Sequence, residues 1–408
     1  MKVTIFPSKL EGQIAARASK SQAHRLLICA ALSLSPCTIY CDSLSEDILA
    51  TADCLNALGA EIKYSDGRFS IRPITTPHIS TLLDCRESGS TLRFLISVVA
   101  ALGTNSTFKM SGRLAERPLS PLKEELEAHG ILFSRPTPDT LKVEGKLTGG
   151  NFTLDGSVSS QFVSGLLFAL PLLQEKSSVT LTGNIQSIDY ITMTVRAIKS
   201  FGVELDYNDY TYTLKSGSYH ADSEYFVEGD WSNGAFWICG GKLTDGKIAC
   251  TNLDDNSPQG DKEILEIASA LTENGLLHIT IDAANIPDLV PVICVTASAS
   301  DGGVTVIKNA GRLRIKESDR IKSTAELINN LGGNAMETDD GLIITGVGRF
   351  SGGKIDSYND HRIAMSAAIA SLISDGPVEI TGAEAVNKSY PSFWDDFKVL
   401  GGKIKVEN

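Results

Sequence analysis

Several absences narrow what this chain can be. No apolar run approaches the roughly 20 residues that a membrane helix needs, and residues 1–7 lack the apolar core of a secretory signal. The eight cysteines form no CxxC pair, and no histidine cluster lies near the closest two, Cys37 and Cys41. This disfavours a zinc site and favours reduced, mostly buried thiols. We expect a soluble protein of the cytoplasm without a zinc site.

Basic residues are also fewer than acidic ones. Lysine and arginine total 37 against 49 aspartates and glutamates, which gives a net charge of −12. That balance disfavours nucleic acid or an acidic membrane as a partner. At 408 residues the chain exceeds what one core usually holds, so we expect two domains. Because no low-complexity linker is present, short ordered crossings must join them.

One helix signature recurs six times. An apolar residue is followed by others four, seven and ten positions later and then by glycine, as in Ile48, Ala52, Leu55, Leu58 and Gly59. The spacing predicts one buried stripe on an α-helix, and the glycine predicts a left-handed C-terminal cap. Two copies are degraded. The six glycines, which lie 71, 72, 73, 57 and 69 residues apart, are Gly59, Gly130, Gly202, Gly275, Gly332 and Gly401.

A β-hairpin is predicted after three of these glycines. Residues 60–64 and 68–71 are prone to form strands and flank the turn pair Asp66 and Gly67. The same theme occurs at residues 203–207 with 210–214, and at 333–337 with 342–345. The unit is therefore a helix leading into a hairpin, about 70 residues long with its connections. Six such units suggest two globular halves of three.

Short junctions of small residues, most of which carry a cation, precede predicted helices. The first is expected to open a helix at residues 25–34, and the third lies just before Ser120 and Pro121, which are expected to be the N-cap and first residue of a helix. The seven junctions are residues 18–25, 87–93, 113–118, 157–161, 311–320, 358–362 and 387–391.

A helix N-terminus offers free backbone N–H groups and partial positive charge, so each junction is a candidate anion site with phosphate as the usual guest. Taken singly, a junction can equally be a capped surface helix with a solvated cation. Taken together, the seven predict one large polyanion site if the helix ends converge. Two carboxylates lie among these cations: Asp288 can cap a helix or act as a base, and Glu317 can be an ion-pair partner or do chemistry.

From about residue 19 to residue 397, the chain resembles the 5-enolpyruvylshikimate-3-phosphate synthase family. Each matching segment is short, but their order and spacing are specific. The segments are residues 19–21 with Arg25, 89–93, 116–118, 159–162, 316–320 and 359–362. The resemblance implies an α/β (α+β) fold, a two-domain inside-out α/β barrel with six βαβαββ repeats, three per domain, and helices buried within the sheets. It implies one domain at residues 19–228 and a discontinuous one at 1–18 plus 229–408, with helix N-termini facing a cleft.

The implied activity is that of a 3-phosphoshikimate 1-carboxyvinyltransferase of the shikimate pathway, which leads to chorismate and aromatic amino acids. The enolpyruvyl group of phosphoenolpyruvate moves to the 5-hydroxyl of shikimate 3-phosphate, and phosphate leaves by addition and elimination. The two small-molecule substrates together carry two phosphates and two carboxylates, which explains the need for many cations. The resemblance implies no metal and no organic cofactor. It also implies a target of the herbicide glyphosate, and we expect a monomer.

Residue roles follow from matching positions in the family. Asp288 is expected to accept the hydroxyl proton, Glu317 is the candidate for methylene protonation, and Lys20 and Lys388 complete the catalytic set. The shikimate 3-phosphate site would comprise residues of the 19–228 domain, namely Lys20, Ser21, Arg25, Ser159, Ser160, Gln161 and Ser187, together with Asp288 and Lys316. The phosphoenolpyruvate site would comprise Lys20, Gly89, Arg117, Gln161, Arg320, Arg362 and Lys388.

Three positions depart from the family pattern. Glu87 stands where asparagine is usual, Phe94 where proline is common, and Arg312 where many members carry a hydroxyl-binding asparagine. The extra charge of Glu87 beside a phosphate loop predicts that its side chain points away from the loop or pairs with Arg86.

Two alternatives stay open at this point. A UDP-N-acetylglucosamine 1-carboxyvinyltransferase shares the chemistry, but typically has Lys-Asn in place of Lys20-Ser21 and a reactive cysteine that residues 110–117 lack. A polyanion-binding protein, or a relative of the RNA 3′-phosphate cyclases, is disfavoured by the net charge and by carboxylates set among the cations.

Overall fold

The computed structural model describes residues 1–273 and 278–407. They form two compact units, which we call the discontinuous unit (Met1–Arg17 with Glu228–Asn408) and the continuous unit (Ala18–Val227). These divisions fall one residue before the boundaries expected after residues 18 and 228. Each unit has its own apolar core.

Helices occur throughout both units. The described α-helices are α1 Lys20–Ala31, α2 Glu46–Ala57, α3 Gly89–Leu102, α4 Leu122–Ala128, α5 Ser160–Ala169, α6 Ile188–Ser200, α7 Trp231–Leu243, α8 Ile264–Glu273, α9 Val290–Ala297, α10 Arg320–Asn330, α11 His361–Ala370 and α12 Phe393–Val399. Of these, α9 and α11 are buried on every side, and α3 nearly so, because their sequences are apolar around the whole helix.

Strands alternate with these helices. The described strands are β1 Lys2–Phe6, β2 Gly12–Ala15, β3 Cys37–Tyr40, β4 Glu61–Ser65, β5 Arg68–Arg72, β6 Leu82–Asp84, β7 Thr107–Lys109, β8 Leu132–Ser134, β9 Thr140–Glu144, β10 Asn151–Asp155, β11 Ser178–Thr182, β12 Glu204–Asn208, β13 Thr211–Ser216, β14 Glu224–Phe226, β15 Ile248–Thr251, β16 His278–Asp282, β17 Asp301–Lys308, β18 Asn334–Glu337, β19 Leu342–Val347, β20 Gly353–Asp356, β21 Val378–Thr381 and β22 Lys403–Glu407.

The continuous unit contains three four-stranded sheets with one plan. Their orders are β6-β7-β9-β8, β10-β11-β13-β12 and β14-β3-β5-β4. In each sheet two parallel strands lie side by side, and an antiparallel hairpin completes the sheet. This is the βαβαββ unit, and the hairpins predicted at β4–β5 and β12–β13 are confirmed.

The discontinuous unit follows the same plan with one exception. Its sheets are β16-β17-β19-β18, β20-β21-β1-β22 and the pair β15-β2. The N-terminal strands join this unit, since Lys2 lies opposite Thr381 and Gly12 opposite Ile248. Within the described residues, the third sheet has two strands and no hairpin. The short interval of 57 residues between the glycines at 275 and 332 agrees with that missing hairpin.

The glycine signature is confirmed for the five copies that lie in described residues. A positive φ is observed after α2, α4, α6, α10 and α12, at Gly59, Gly130, Gly202, Gly332 and Gly401. Residues other than glycine rarely adopt such backbone angles. In the remaining copy, Asn274 and Gly275 lie outside the described residues.

Two predicted helix starts are wrong. The first helix begins at Lys20 rather than Arg25, because Ser19 caps it by accepting from the backbone N–H of Gln22 at 3.4 Å. Ser120 is not an N-cap: α4 begins at Leu122 after Pro121, and no side chain caps it. Consequently the side chain of Lys20 projects from the first turn of α1 and not from a loop before it.

Two findings bear on the expected class of protein. All eight cysteines are free, and seven of them are buried while Cys250 is partly exposed. Within residues 1–273 and 278–407, no helix is both long and apolar enough to cross a membrane.

Candidate active site

Lys20 lies near the N-terminal end of two helices of the continuous unit. Its Nζ is 2.9 Å from Oδ2 of Asp47, which lies in the first turn of α2. Both side chains are about 15% exposed, at 15% and 14%. An ion pair that is mostly but not fully desolvated holds the ammonium group in one place and leaves part of it accessible to an incoming anion.

Arg25, a predicted residue of the shikimate 3-phosphate site that the family resemblance assigns to the substrate carboxylate, is buried one turn further along α1. Its guanidinium donates to Oγ1 of Thr194 at 2.8 Å and to the backbone oxygens of Ser21 and Tyr190 at 2.5 and 2.8 Å. The ring of Phe94 lies 5.1 Å from its Cζ. These contacts tie α1 to α6, so direct binding of a carboxylate by Arg25 would require some of them to exchange. Its binding role stays a prediction.

A buried polar chain fixes the start of α3. Nδ1 of His24 is 2.7 Å from Oγ1 of Thr51, which is 2.6 Å from Oγ1 of Thr91, which is 2.7 Å from Oγ of Ser88. Ser88 in turn caps α3 by accepting from the backbone N–H of Thr91. Burial, helped by the charges of Lys20 and Arg25, holds the pKa of His24 well below its usual value, so the imidazole is neutral.

The N-terminus of α3 is surrounded by arginines. A Cβ on Gly89 would lie 2.8 Å from Nη1 of Arg117 and 3.2 Å from Nη1 of Arg93, so only glycine fits there without displacing them. Arg93 donates to Oε1 of Gln161 at 2.8 Å, and Nε2 of Gln161 donates to Oγ of Ser90 at 2.9 Å. The predicted phosphate ligands Gly89, Arg117 and Gln161 are thus brought together.

The carboxylate of Glu87, one of the departures from the family pattern, lies beside Gly112. A Cβ on Gly112 would lie 2.6 Å from Oε2 of Glu87, so that carboxylate rests on the turn that leads to Arg117. Arg86 pairs with Asp53, with Nη2 2.7 Å from Oδ2.

A second group of predicted ligands meets where strands β10 and β11 end. These strands are parallel neighbours, and α5 and α6 follow them. The backbone N–H of Gln186 donates to the oxygen of Gly156 at 3.1 Å, which joins the two loops. Ser159 caps α5, Ser160 is its first residue, and Ser187 precedes α6 with a φ of 54°. Two helix N-termini with three hydroxyls form a fitting site for a phosphate.

In the discontinuous unit, Asp288 lies between two arginines. Its Oδ1 is 2.8 Å from Nη1 of Arg320, and its Oδ2 is 3.2 Å from Nη2 of Arg362. The N-cap of α9 is Leu289, without a side-chain cap, so the capping interpretation of Asp288 is wrong. Burial acts to raise the pKa of Asp288, but the charges of Arg362, Lys316 and Arg320 prevail and hold it well below its usual value.

Arg320 is the hub of this cluster. Besides Asp288, its Nη2 is 2.7 Å from Oε2 of Glu317, and its Nε is 2.9 Å from Oδ2 of Asp360. Asp360 is fully buried, and it also caps α11 by accepting from the backbone N–H of Arg362. The five-donor fork of arginine suits such multiple pairing. A substrate carboxylate that binds Arg320 through two hydrogen bonds would therefore compete with a resident carboxylate.

Two lysines complete the set of predicted residues. Burial, with the charge of Arg312, lowers the pKa of Lys316 to about 8 against the opposing charges of Asp288 and Glu317. Arg312 itself donates to the oxygen of Ala284 at 2.5 Å. Lys388 is buried, and its Nζ donates to the backbone oxygen of Asn359 at 2.6 Å.

The prediction from sequence missed two residues beside this cluster. Asp261 is buried, and it accepts a very short hydrogen bond from the hydroxyl of Ser232, whose backbone oxygen accepts from Arg362 at 3.4 Å. The signal available was another polar junction before a helix, residues 257–261, which has an aspartate where the other junctions have a cation.

The two sets of residues differ in what they can do. The continuous unit has helix N-termini and cationic side chains that can bind anions. The discontinuous unit also has carboxylates, which can accept and donate protons. In the part of the chain that the structure describes, no group of three histidine, cysteine, aspartate or glutamate side chains is placed to hold a metal ion.

Comparison with known proteins identifies the class as a two-domain α/β transferase. The family described as EPSP synthase (3-phosphoshikimate 1-carboxyvinyltransferase) matches residues 6–397, and the chain belongs to it. The 3-phosphoshikimate 1-carboxyvinyltransferases of Clostridium perfringens and Clostridium acetobutylicum are 42% and 41% identical to it, and the alignments cover 100% and 98% of both chains. The EPSP synthase structure of Acinetobacter baumannii matches with a TM-score of 0.82 at 25% identity, covering 100% of both chains.

Proposed function

We propose that this chain transfers the 1-carboxyvinyl group of phosphoenolpyruvate to the 5-hydroxyl of shikimate 3-phosphate, forming 5-enolpyruvylshikimate 3-phosphate and phosphate. The observation that carries the proposal is the match to this one family of transferases over nearly the whole chain. Nothing in the fold or in the comparisons favours the acetylglucosamine enzyme, a cyclase or a pure binding protein. We also propose that the chain is a monomer, which sedimentation of the purified protein tests. We further propose that it lies in the cytoplasm, which fractionation of the cells that make it tests.

In the proposed mechanism, the continuous unit binds the phosphates. Support comes from the paired N-termini of α5 and α6 for the 3-phosphate, and from Gly89, Arg117 and Gln161 at α3 for the phosphate of phosphoenolpyruvate. Departing phosphate would take a proton from a lysine, for which Lys20 and Lys388 are the candidates. Both lie among hydrogen-bonding partners that fix the position of the ammonium group.

The discontinuous unit would bind the carboxylate of phosphoenolpyruvate and move the protons. Arg320 and Arg362 are the proposed ligands of the substrate carboxylate. Both guanidinium groups already form ion pairs with carboxylates of the chain itself, which shows that a carboxylate fits beside them. Asp288 would accept the proton of the 5-hydroxyl as its oxygen attacks the substituted carbon, and Glu317 would deliver one to the methylene carbon. Elimination then breaks the C–O bond to phosphate, and the methyl carbon returns a proton to the carboxylate of Glu317, which restores the double bond.

Phosphate release tests the proposed function. The purified chain is incubated with phosphoenolpyruvate alone, with added shikimate 3-phosphate, and with added UDP-N-acetylglucosamine. We expect stoichiometric phosphate release with shikimate 3-phosphate only, together with a product of the added 1-carboxyvinyl mass. Release with the UDP sugar, or with neither acceptor, contradicts the proposal.

Replacing Arg362 by alanine should weaken phosphoenolpyruvate binding selectively. Losing one charge-assisted contact costs about 1.5–3 kcal/mol, which corresponds to a roughly 10- to 150-fold higher KM for phosphoenolpyruvate. The dissociation constant of shikimate 3-phosphate, measured by calorimetry, should change less than about twofold. Arg362→Lys keeps the charge but not the planar fork, so an intermediate KM is expected. An unchanged KM in Arg362→Ala removes this residue from the substrate site.

The affinity for shikimate 3-phosphate should fall above about pH 8. Lys316 is protonated below its pKa of about 8 and loses its charge above it, so it attracts the 3-phosphate only on the acidic side. We expect a constant dissociation constant from pH 6.5 to 7.5 and a rise of up to about tenfold per unit beyond pH 8. Lys316→Arg should abolish the rise. Because the charge of Arg312 lowers the pKa of Lys316, Arg312→Gln should move the rise to higher pH; a profile that Lys316→Arg leaves unaltered contradicts the assignment.

A further inference from the structure

Asp261 is a buried carboxyl group that the proposed mechanism does not use. It lies in the 3₁₀ turn Gly260–Glu263 before α8, and its relative exposure is 2%. Its Oδ2 accepts from the hydroxyl of Ser232, whereas its Oδ1 is buried without a hydrogen-bond partner.

Ser232 connects Asp261 to the candidate active site. It lies in the first turn of α7, and its backbone oxygen accepts from Nη1 of Arg362, whose Nη2 pairs with Asp288. The turn that carries Asp261 is itself fixed to the start of α7. There the side chain of Gln259 donates to the oxygen of Gly229 at 2.9 Å and accepts from the backbone N–H of Trp231 at 3.0 Å.

The hydrogen bonding of Asp261 favours the protonated form. An ionised carboxylate has about four acceptor sites, and leaving a buried charged oxygen without a donor is costly. Here the hydroxyl of Ser232 is the one hydrogen-bond partner described for the carboxyl group of Asp261. Among the described ion pairs, no cation is paired with either of its oxygens. In a neutral carboxyl group, by contrast, the oxygen without a hydrogen-bond partner carries no charge, so burying it costs less free energy.

We propose that Asp261 is a positioning residue: in its protonated form it holds Ser232, and through it Arg362, in place for the carboxylate of phosphoenolpyruvate, and it weakens that site when it loses its proton. The identity of the substrate rests on the proposed function. The position and charge state of Asp261 do not.

The local charges support the same conclusion. Burial, with the negative charges of Asp288 and Asp230, raises the pKa of Asp261 to about 7 against the opposing charge of Arg362 and the hydroxyl of Ser232. Below pH 7 the two carboxyl groups of Asp261 and Asp288 therefore carry one negative charge between them. Above pH 7 a second negative charge appears beside Arg362 and opposes the binding of an anion.

The kinetic test compares the KM for phosphoenolpyruvate at pH 6 and pH 8.5 at saturating shikimate 3-phosphate. In the wild type we expect a rise of about five- to tenfold that Asp261→Asn abolishes, because asparagine reproduces the neutral form. The matched control Asp255→Asn removes the same charge from an exposed position of the same segment and should keep the rise. Ser232→Ala should raise the KM at both pH values, since it removes the hydroxyl through which Asp261 holds residue 232, and with it the backbone oxygen that accepts from Arg362, in place.

Unfolding in urea tests the charge state without any substrate. A carboxyl group whose pKa is raised in the folded state makes the fold less stable as the pH rises from about 4 to 7. The unfolding midpoint of Asp261→Asn should therefore exceed that of the wild type by an amount that grows between pH 5 and 8, while Asp255→Asn shows no such growth.

Either measurement can overturn the inference. An Asp261→Asn protein that keeps the wild-type rise in KM, that gains no stability with rising pH, or that fails to fold contradicts a neutral Asp261. If the wild type has no transferase activity, the proposed function fails, and the urea comparison still decides the charge state.

Discussion

Asp288→Asn should lower kcat by about a thousandfold while leaving phosphoenolpyruvate bound as tightly as before or several-fold more tightly. The loss follows from removing a general base, which contributes about 10²–10⁴-fold. The tighter binding follows from the geometry of Asp288, whose carboxylate pairs with the two arginines that we propose as ligands of the substrate carboxylate. Asparagine has the same shape without the charge, so it competes less.

The same geometry explains how so acidic a group can act as a base. While Asp288 is held by Arg320 and Arg362, its pKa is far too low for it to take a proton from a hydroxyl. A substrate carboxylate that displaces it from the arginines would raise that pKa at the moment when the base is needed. The proposed base would then be active only when phosphoenolpyruvate is bound.

Steady-state kinetics and calorimetry check this prediction together. The control is Asp319→Asn, which removes the carboxylate of the residue that precedes Arg320 in the same unit. The Asp319 side chain caps α10 and pairs with Arg314. Its kcat should fall less than about threefold. A loss in Asp288→Asn that appears entirely in KM, with kcat unchanged, contradicts the role of Asp288 in proton transfer.

Arg320→Met should strongly destabilise the fold of the discontinuous unit. Arg320 is 1% exposed and holds three carboxylates, of which Asp360 is fully buried. Removing the shared cation from buried partners costs about 3–5 kcal/mol of the free energy of unfolding. The loss should be smaller at pH 5 than at pH 8, because carboxylates without this cation take up protons more readily as the pH falls.

Urea unfolding at the two pH values measures the effect of Arg320→Met. Arg314→Met is the matched control, since Arg314 also pairs with two carboxylates but is 32% exposed, and such pairs contribute about 0–1 kcal/mol. Equal losses in the two variants, or a loss independent of pH, would mean that Arg320 is not the electrostatic hub of the unit.

Local sequence predicts the repeating part of the fold well. The helices that end at Gly59, Gly202 and Gly332 and the hairpins that follow them depend on periodicity and on turn residues, which act over a few positions. The pairing of β1 with β21 and β22 joins residues nearly 400 positions apart, and no local pattern specifies it. The resemblance to a family supplied that step.

The candidate site shows the same limit. Sequence marks Asp288, Glu317 and Arg320 as charged residues near helix starts, but their mutual pairing arises only when separate loops of the unit meet. The burial of Arg25 was missed because its partners, Thr194 and Tyr190, lie on a helix 165 or more positions away. Asp261 was missed because its function depends on what surrounds it and not on a motif.

The proposed function depends on helix N-termini acting as phosphate sites, and a crystal structure with shikimate 3-phosphate bound tests this most directly. We predict the 3-phosphate at the starts of α5 and α6, within hydrogen-bonding distance of Ser159, Ser160 and Ser187. A ligand phosphate bound away from both helix starts, with these hydroxyls facing solvent, would contradict it.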